Sequence, residues 1–145
     1  MLWQGVLQCD HNMTWERYAL ELARVAAMKS KDPWRQVGAV VLRHDKTVAG
    51  VGFNGFPSGV EEDWECRERR RLFVVHAEAN ALRYVKPDEG WLLASTTLPC
   101  NNCLKTIVSY GIKKIVYGET YPSDESSLDV AGLMGIELYD ATRIE

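Results

Sequence analysis

TTLPCNNCLK, residues 96–105, joins a predicted strand to a predicted helix and places two cysteines at the junction. The strand is WLLAS, residues 91–95, and the proline before Cys100 suits the first turn of a helix. Cys100 and Cys103 are three positions apart, so in a helical first turn both thiols point to the same side. This junction therefore predicts a strand-to-helix crossover that carries a two-thiol site.

Outward from this junction, the hydrophobic pattern predicts alternating helices and strands. Thr14 is a suitable N-cap for the first helix. The second predicted helix, residues 61–71, has its acids first and its arginines last, as the helix dipole favours. Its charged residues are explained most simply as a solvent-exposed face whose acids and arginines pair with each other. The predicted helices span 14–30, 61–71, 77–85, 102–111 and 123–135, the last capped by Ser123 or Asp124, and the predicted strands span 37–42, 47–53, 91–95, 113–118 and 136–140.

The order of these elements predicts an α/β fold. The polar segment 43–46 suits an antiparallel hairpin between the first two strands. The later strands are joined through helices, and such crossovers favour parallel pairing. We expect a three-layer α/β/α sandwich around a five-stranded mixed sheet, built as one domain over residues 1–145.

Composition excludes several classes of function. The 145 residues carry a net charge of -3, which argues against general attraction to nucleic acid. No apolar run is long enough to span a membrane, and residues 1–15 lack the pattern of an export signal. We therefore expect a cytoplasmic protein with reduced thiols, in which a disulfide between Cys100 and Cys103 is disfavoured.

His76, Cys100 and Cys103 form a candidate metal-ligand set from two predicted helix starts. If these helices follow neighbouring strands, their first turns meet at one edge of the sheet, where open α/β folds bind ligands. One imidazole and two thiolates are the three protein ligands of a catalytic zinc site, whose fourth position holds water. The positive end of the helix dipole helps to keep the thiols ionised.

Glu78 lies two residues after His76 and does not share its helix face, so it is not expected to be a fourth ligand. Near the start of the helix it can still lean into the same pocket, beside the water, where a general base is needed. H-x-E followed by P-C-x-x-C is the signature of zinc nucleobase deaminases.

Several alternative roles for the cysteine pair remain open. A structural zinc site needs a fourth ligand, and the spare candidates Cys9, His11, His44 and Cys66 have no matching short spacing. An inert pair of buried cysteines is a further alternative, and a redox pair leaves His76 and Glu78 unexplained. A zinc-stabilised interaction domain without enzymatic activity has no use for a carboxylate beside the metal.

Four segments together resemble the deoxycytidylate (dCMP) deaminase family of the cytidine deaminase-like superfamily. The resemblance runs from about Trp15 to Tyr121, and Phe53 stands where family members often carry tyrosine. The four segments are KDPWRQVGAVVL at 31–42, GVGFNGFPSG at 50–59, HAEANAL at 76–82 and LPCNNCLKTIVSYGIKKIVY at 98–117.

The resemblance implies hydrolysis of dCMP to dUMP and ammonia for thymidylate synthesis, with Glu78 moving protons between water at the zinc and the cytosine ring. Deamination of another cytosine nucleotide or nucleoside, such as dCTP or cytidine, is the nearest alternative. A tRNA adenosine deaminase shares the zinc motif but is expected to show a basic surface, and the 17 basic and 20 acidic residues argue against it. A local patch at 67–71 leaves that alternative open.

The same resemblance implies contacts to the substrate. Asn54 would hold the sugar 3′-hydroxyl, the backbone near Ala77 would contact the base edge, and Tyr121 would close over the nucleotide. Arg35 or Lys31 would meet the 5′-phosphate. A solubilising surface charge explains either basic residue equally well, and packing explains Tyr121 equally well.

Relatives of this kind are commonly homohexamers that dCTP activates and dTTP inhibits, with magnesium on the triphosphate. The resemblance associates the effector site with Gly52, Phe53, Asn54 and Gly55, whereas the residues alone explain the glycines as turn formers. Some relatives have a second zinc site, but the spacing of Cys9, His11 and Cys66 does not support one here.

Overall fold

The computed structural model describes residues 12–120 and 126–141. These ranges contain five helices and five strands. In chain order they are α1 (Trp15–Ala27), β1 (Gly38–Arg43), β2 (Val48–Phe53), α2 (Arg67–Phe73), α3 (Ala77–Leu82), β3 (Gly90–Thr97), α4 (Asn101–Ser109), β4 (Lys114–Glu119), α5 (Ser126–Leu133) and β5 (Glu137–Asp140).

The strands form one five-stranded mixed sheet in the order β2-β1-β3-β4-β5. Strand β1 pairs antiparallel with both β2 and β3, while β3, β4 and β5 pair parallel. This confirms the predicted mixed sheet. The expectation that the helices carrying His76 and the cysteines follow neighbouring strands was wrong, because β1 lies between β2 and β3.

Helices cover both faces of the sheet, which confirms the predicted three-layer sandwich. On one face, α1 packs against the inner strands through Leu20, Val40, Leu92 and other buried side chains. On the other face, α3, α4 and α5 share a core with the alternate strand residues, including Val41 and Leu93. Consecutive strand residues therefore supply the two cores, as the pleat of a strand requires.

Helix α1 begins where the sequence predicts. The Thr14 side chain accepts a hydrogen bond of 3.1 Å from the backbone N–H of Arg17, which caps the first turn. Ala19, Ala23 and Ala27 recur at a spacing of four and are buried against the sheet. Small side chains on this face let the helix lie close to β1.

Helix α3 lies unusually close to β2 because glycine occupies the contact. A Cβ atom at Gly52 would stand 2.4 Å from the backbone nitrogen of Ala81 and 2.6 Å from the carbonyl oxygen of Ala77. Neither backbone atom can move without displacing the helix. Gly52 therefore has a packing role inside a strand, and this contact fixes the helix whose first residues carry the site.

All five helices differ from the predicted ranges by at least one residue, and two of the differences have a clear local cause. Helix α2 begins only at Arg67, after most of the acids, because the Asp63 side chain accepts a hydrogen bond from the N–H of Cys66 and stabilises a turn there. Helix α3 ends at Leu82, since Val85 bonds back three residues in a turn ahead of Pro87. The predicted caps at Ser123 and Asp124 lie outside the described residues.

Within 12–120 and 126–141, no helix has the length and apolar character that crossing a membrane requires.

Candidate active site

Two helix starts bring the predicted metal ligands together. His76 is the N-cap residue of α3, and Cys100 is the N-cap residue of α4 with Cys103 in its first turn. Neither N-cap side chain bonds its own helix backbone, so the imidazole and the thiol remain available for another partner. The junction at residues 96–105 thus places its two sulfurs opposite the imidazole.

The distances within this group match a shared ion. Nδ1 of His76 lies 3.2 Å from Sγ of Cys103 and 3.6 Å from Sγ of Cys100. All three donor atoms lie within 4.8 Å of one another. Over the described ranges, this is the only group of at least three histidine, cysteine or acidic side chains with metal-ligand spacing. Three donors, without a fourth ligand among the described residues, fit a catalytic zinc rather than a closed structural site.

The two sulfurs titrate very differently. Hydrogen bonds from Cys103 and from His76 lower the pKa of Cys100 to about 3. The adjacent Cys100 sulfur and burial both raise the pKa of Cys103. The hydrogen bond to Cys100 also raises the pKa of His76, although burial acts in the opposite direction. Only a cation would hold both thiols ionised, which is the chemistry expected of a zinc-binding pair.

Glu78 lies in the same pocket but outside the donor group. Its side chain is 5% exposed, and burial raises its pKa to about 7, against smaller opposing effects of a backbone hydrogen bond and of the nearby His76. A carboxyl group with this pKa gains and loses protons near neutral pH. Glu78 and His76 line the same cavity, as the sequence predicts. The catalytic role of Glu78 stays a prediction.

A cavity of about 350 Å³ opens onto Glu78 and onto two of the metal ligands, His76 and Cys100. This volume lies in the range that small-molecule sites occupy. Its wall combines residues of the loop before β1, the end of β2, helices α2 and α3 and the segment between β3 and α4. The lining residues are Asp32, Arg35, Val37, Asn54, Arg70, Arg71, Val74, His76, Ala77, Glu78, Thr97, Leu98 and Cys100.

Three arginines line this cavity, against one aspartate and Glu78. Arg35 was predicted from the sequence as a phosphate contact, whereas Arg70 and Arg71 were not predicted as site residues. Neither arginine forms an ion pair with a described residue, so the prediction of a self-paired face is wrong for these two, although Arg71 is exposed as a solvated face requires. The sequence signal that could have identified Arg70 and Arg71 as site residues is the cluster of arginines at 67–71, which belongs to no other motif.

The predicted substrate residues have different surroundings. Asn54 is buried, and its side chain accepts from the N–H of Val37 and donates to Asp32 and to the carbonyl of Arg35. Asn54 therefore braces the loop before β1, and one lone pair of its side-chain oxygen remains for a ligand. Its contact with the sugar stays a prediction.

The remaining predicted contacts lie in three places. Ala77 is fully buried and lines the cavity. Lys31 does not line it and instead pairs with Glu62 at 3.1 Å near the surface. Tyr121, together with Cys9 and His11 of the possible second zinc site, lies outside the described residues.

The predicted effector segment spans the end of β2. Phe53 is 38% exposed, and its carbonyl accepts a hydrogen bond of 2.8 Å from the Asn80 side chain. Gly55 forms an isolated bridge with Val75, the residue before His76. The segment therefore touches the strand-like connection into the candidate site, and its effector role stays a prediction.

Comparison with known proteins identifies the family of this site. Residues 13–119, more than half of the chain, match the model of the cytidine and deoxycytidylate deaminase zinc-binding region. The matched segment contains every residue of the metal-ligand group and Glu78.

Curated relatives and solved structures agree with this match. A deoxycytidylate deaminase of Pongo abelii is 31% identical over 141 residues, covering 86% of this chain and 79% of the relative. An uncharacterised deaminase from the luxG 3′ region of Aliivibrio fischeri is 41% identical over 104 residues, covering 70% of each. Among solved structures, a dCMP deaminase from the cyanophage S-TIM5, crystallised in complex with dCMP and dUMP, is similar to this chain. The two structures superpose with a TM-score of 0.69 and are 30% identical in sequence, and the superposition covers 87% of this chain and 93% of that chain.

Proposed function

Because this chain belongs to the cytidine and deoxycytidylate deaminase family, a class of hydrolases, we propose that it converts dCMP and water to dUMP and ammonia. One observation carries the proposal. A single cavity joins two of the metal ligands, His76 and Cys100, and Glu78 to a wall that contains three arginines. The first part suits hydrolysis of an amine on a ring, and the second suits an anionic substrate.

His76, Cys100 and Cys103 would hold the zinc ion of this family. The charge of two thiolates balances that of the ion, so that the centre carries no net charge. When bound there, zinc supplies Lewis acidity, which ionises water near neutral pH.

Glu78 would move the protons of the reaction. Its carboxylate takes up the proton that water loses and delivers it to N3 of the cytosine ring. The hydroxide that remains adds to C4, and Glu78 takes the proton of the resulting C4 hydroxyl and passes it to the 4-amino group. The C4–N bond then breaks, ammonia leaves and C4 becomes the carbonyl carbon of dUMP. The raised pKa of about 7 supports this role, because the group must be a base in one step and an acid in the next.

The substrate contacts predicted from the sequence belong to this proposal. The free lone pair of Asn54 would accept from the sugar 3′-hydroxyl, the backbone at Ala77 would contact the base, and Tyr121 would close over the nucleotide. Arg35 lines the cavity and supports a phosphate contact. Lys31 is less suited, since it pairs with Glu62 away from the cavity wall.

Regulation and assembly are a further part of the proposal. We expect a homohexamer that dCTP activates and dTTP inhibits, with magnesium on the triphosphate. The support is the resemblance of the segment at Gly52, Phe53, Asn54 and Gly55 to the effector site of regulated relatives. We expect dTTP to lower the rate of dCMP deamination and excess dCTP to reverse that inhibition. Absence of either effect would contradict this part of the proposal.

Ammonia release from dCMP, deoxycytidine, cytidine and dCTP, compared side by side on the zinc-loaded full chain, tests the proposal. We expect the highest kcat/KM for dCMP. Equal or faster turnover of deoxycytidine would contradict a nucleotide substrate, and turnover of dCTP alone would reassign the enzyme to triphosphates. Absence of ammonia with all four would contradict cytosine deamination.

A further inference from the structure

We infer that Arg70 and Arg71 of helix α2 bind the 5′-phosphate of the substrate, and that Trp34 holds Arg70 in position. The inference rests on the proposed function, because it assigns the phosphate specificity of the same cavity. It identifies α2, which carries no metal ligand and no catalytic group, as the element that distinguishes a nucleotide from a nucleoside.

The position of α2 is the first reason. The helix runs from Arg67 to Phe73 and has no buried residue, so it adds nothing to the core. Two of its residues, Arg70 and Arg71, nevertheless line the cavity that holds His76 and Glu78. An element that contributes charge to a cavity and no apolar packing is suited to ligand recognition.

The second reason is that the charge of these arginines is not neutralised within the protein. Over the parts of the chain that the structure describes, no carboxylate forms an ion pair with Arg70 or Arg71. The one aspartate in the cavity wall, Asp32, accepts hydrogen bonds from the backbone of Trp34 and from Asn54 instead. An anion entering the cavity would therefore meet two uncompensated guanidinium groups.

The third reason is that Arg70 is held in place before any ligand binds. Its guanidinium carbon lies 4.1 Å from the centre of the Trp34 ring. One nitrogen donates a hydrogen bond of 2.5 Å to the carbonyl of Trp64. Of the five N–H groups of a guanidinium, most remain for phosphate oxygens, with which arginine makes paired, charge-assisted bonds.

The contact with Arg70 explains why Trp34 lies at the surface. The side chain is 63% exposed although it is large and apolar. A flat ring against the guanidinium restricts the rotamers of Arg70 and so reduces the ordering cost of binding. Its backbone N–H donates to Asp32 at 2.8 Å, which fixes the loop that carries the ring. Trp34 is thus a positioning residue that acts through Arg70.

Arg69 provides a matched control on the same helix. It does not line the cavity. Its side chain lies 3.8 Å from the carboxylate of Asp63, donates to the carbonyl of Glu61 at 3.3 Å and stacks over Phe73 at 5.0 Å. Replacing Arg69 removes the same formal charge from α2 without removing a guanidinium from the cavity.

The test compares dCMP with deoxycytidine on the zinc-loaded full chain. We expect Arg70→Gln and Arg71→Gln each to lower kcat/KM for dCMP about tenfold to a hundredfold, the loss expected for one charge-assisted contact. The fall should arise mainly from a higher KM, because the phosphate is remote from the reacting atoms. The kcat/KM for deoxycytidine should stay within about twofold, and Arg69→Gln should leave both substrates unchanged.

The test of Trp34 must distinguish positioning of Arg70 from a general effect on the fold, so it compares KM with kcat for the two substrates. We expect Trp34→Ala to raise KM for dCMP severalfold with kcat unchanged, and Trp34→Phe to restore most of the loss because it keeps an aromatic face. Equal losses with dCMP and deoxycytidine would show that Trp34 only maintains the fold. Failure of Trp34→Phe to restore KM would also overturn its positioning role.

The outcomes separate this inference from the proposed function. If the arginine variants lose dCMP and deoxycytidine activity equally, or lose neither, α2 does not bind the phosphate, while wild-type turnover of dCMP would still support the proposed function. If the wild type does not deaminate dCMP, calorimetric binding of dUMP and deoxyuridine tests the inference alone. We expect the wild type to bind dUMP at least about tenfold more tightly, and Arg70→Gln to abolish the difference. Equal binding of dUMP and deoxyuridine by the wild type would overturn the inference.

Discussion

His76 and Cys103 are separated by 27 positions in the chain, yet Nδ1 of the first lies 3.2 Å from Sγ of the second. The contact joins the starts of α3 and α4, two helices on the same face of the sheet. Because both helices are fixed by packing against strands, the residues at their starts hold the donor atoms at this distance. This rigidity is what a metal centre requires of its ligands.

Replacement of a ligand should remove the metal. We expect Cys103→Ala to bind less than about one tenth of the zinc that the wild type binds, because only two donors remain. Metal content after dialysis, measured by mass spectrometry, checks this. Cys66→Ala is the control, since Cys66 is a free cysteine outside the metal-ligand group and should leave the zinc content unchanged. Full zinc occupancy in Cys103→Ala would refute its assignment as a ligand.

Replacement of Glu78 should separate metal binding from turnover. Glu78→Gln preserves shape but cannot transfer a proton, so we expect kcat for dCMP to fall by about 10²- to 10⁴-fold while zinc content stays unchanged. Burial of a neutral amide in place of a carboxyl group with a pKa of about 7 should cost little stability. A variant that keeps the wild-type rate would rule out the proton-transfer role.

Addition of a methyl group under α3 should destabilise the protein. Gly52→Ala would place its Cβ 2.4 Å from the nitrogen of Ala81, so the helix must move, and we expect a loss of about 1–3 kcal/mol in the free energy of unfolding. Chemical denaturation measures it. The matched control is Gly132→Ala in α5, where no atom lies within 4 Å and alanine favours the helix. Equal stability of Gly52→Ala and the wild type would contradict the close approach of α3 to β2.

One ion pair should contribute a pH-dependent part of the stability. Partial burial raises the pKa of Glu16, but the hydrogen bond from Lys114, at 2.6 Å, acts against it together with a backbone hydrogen bond and the charges of Lys114 and Lys46. Their combined effect leaves that pKa below its ordinary value of 4.5. A carboxylate with a lowered pKa stabilises the fold above its unfolded pKa, and this contribution is lost as the pH falls through the folded value.

Glu16→Gln should therefore be less stable than the wild type at pH 7 by up to about 1 kcal/mol, with a smaller difference below about pH 4. Urea unfolding at the two pH values measures the difference. The control is Glu21→Gln on the same helix, whose pair with Arg24 is about half exposed and should matter less. A difference that stays constant across this pH range would contradict the role of the Glu16 carboxylate.

Most helices and strands could be predicted from the sequence, because the patterns that specify them involve residues close together in the chain. The continuous apolar runs in β1 and β3 and the cap at Thr14 each depend on residues a few positions apart. The acid-rich run before α2 was misassigned for the same reason. Its pattern suited a helix dipole, but a side-chain turn at Asp63 delays the helix to Arg67.

The sequence by itself determined the chemistry of the site: the donor types, their places at two helix starts, and the acid two residues after His76. The tertiary structure alone decided the strand order, with β1 between β2 and β3, and the composition of the cavity wall. Arg70 and Arg71 have no periodic or motif context, and the path of residues 54–66 decides which way they face. That path is set by long-range contacts, such as the ring of Trp34 against Arg70, which no short window of sequence contains.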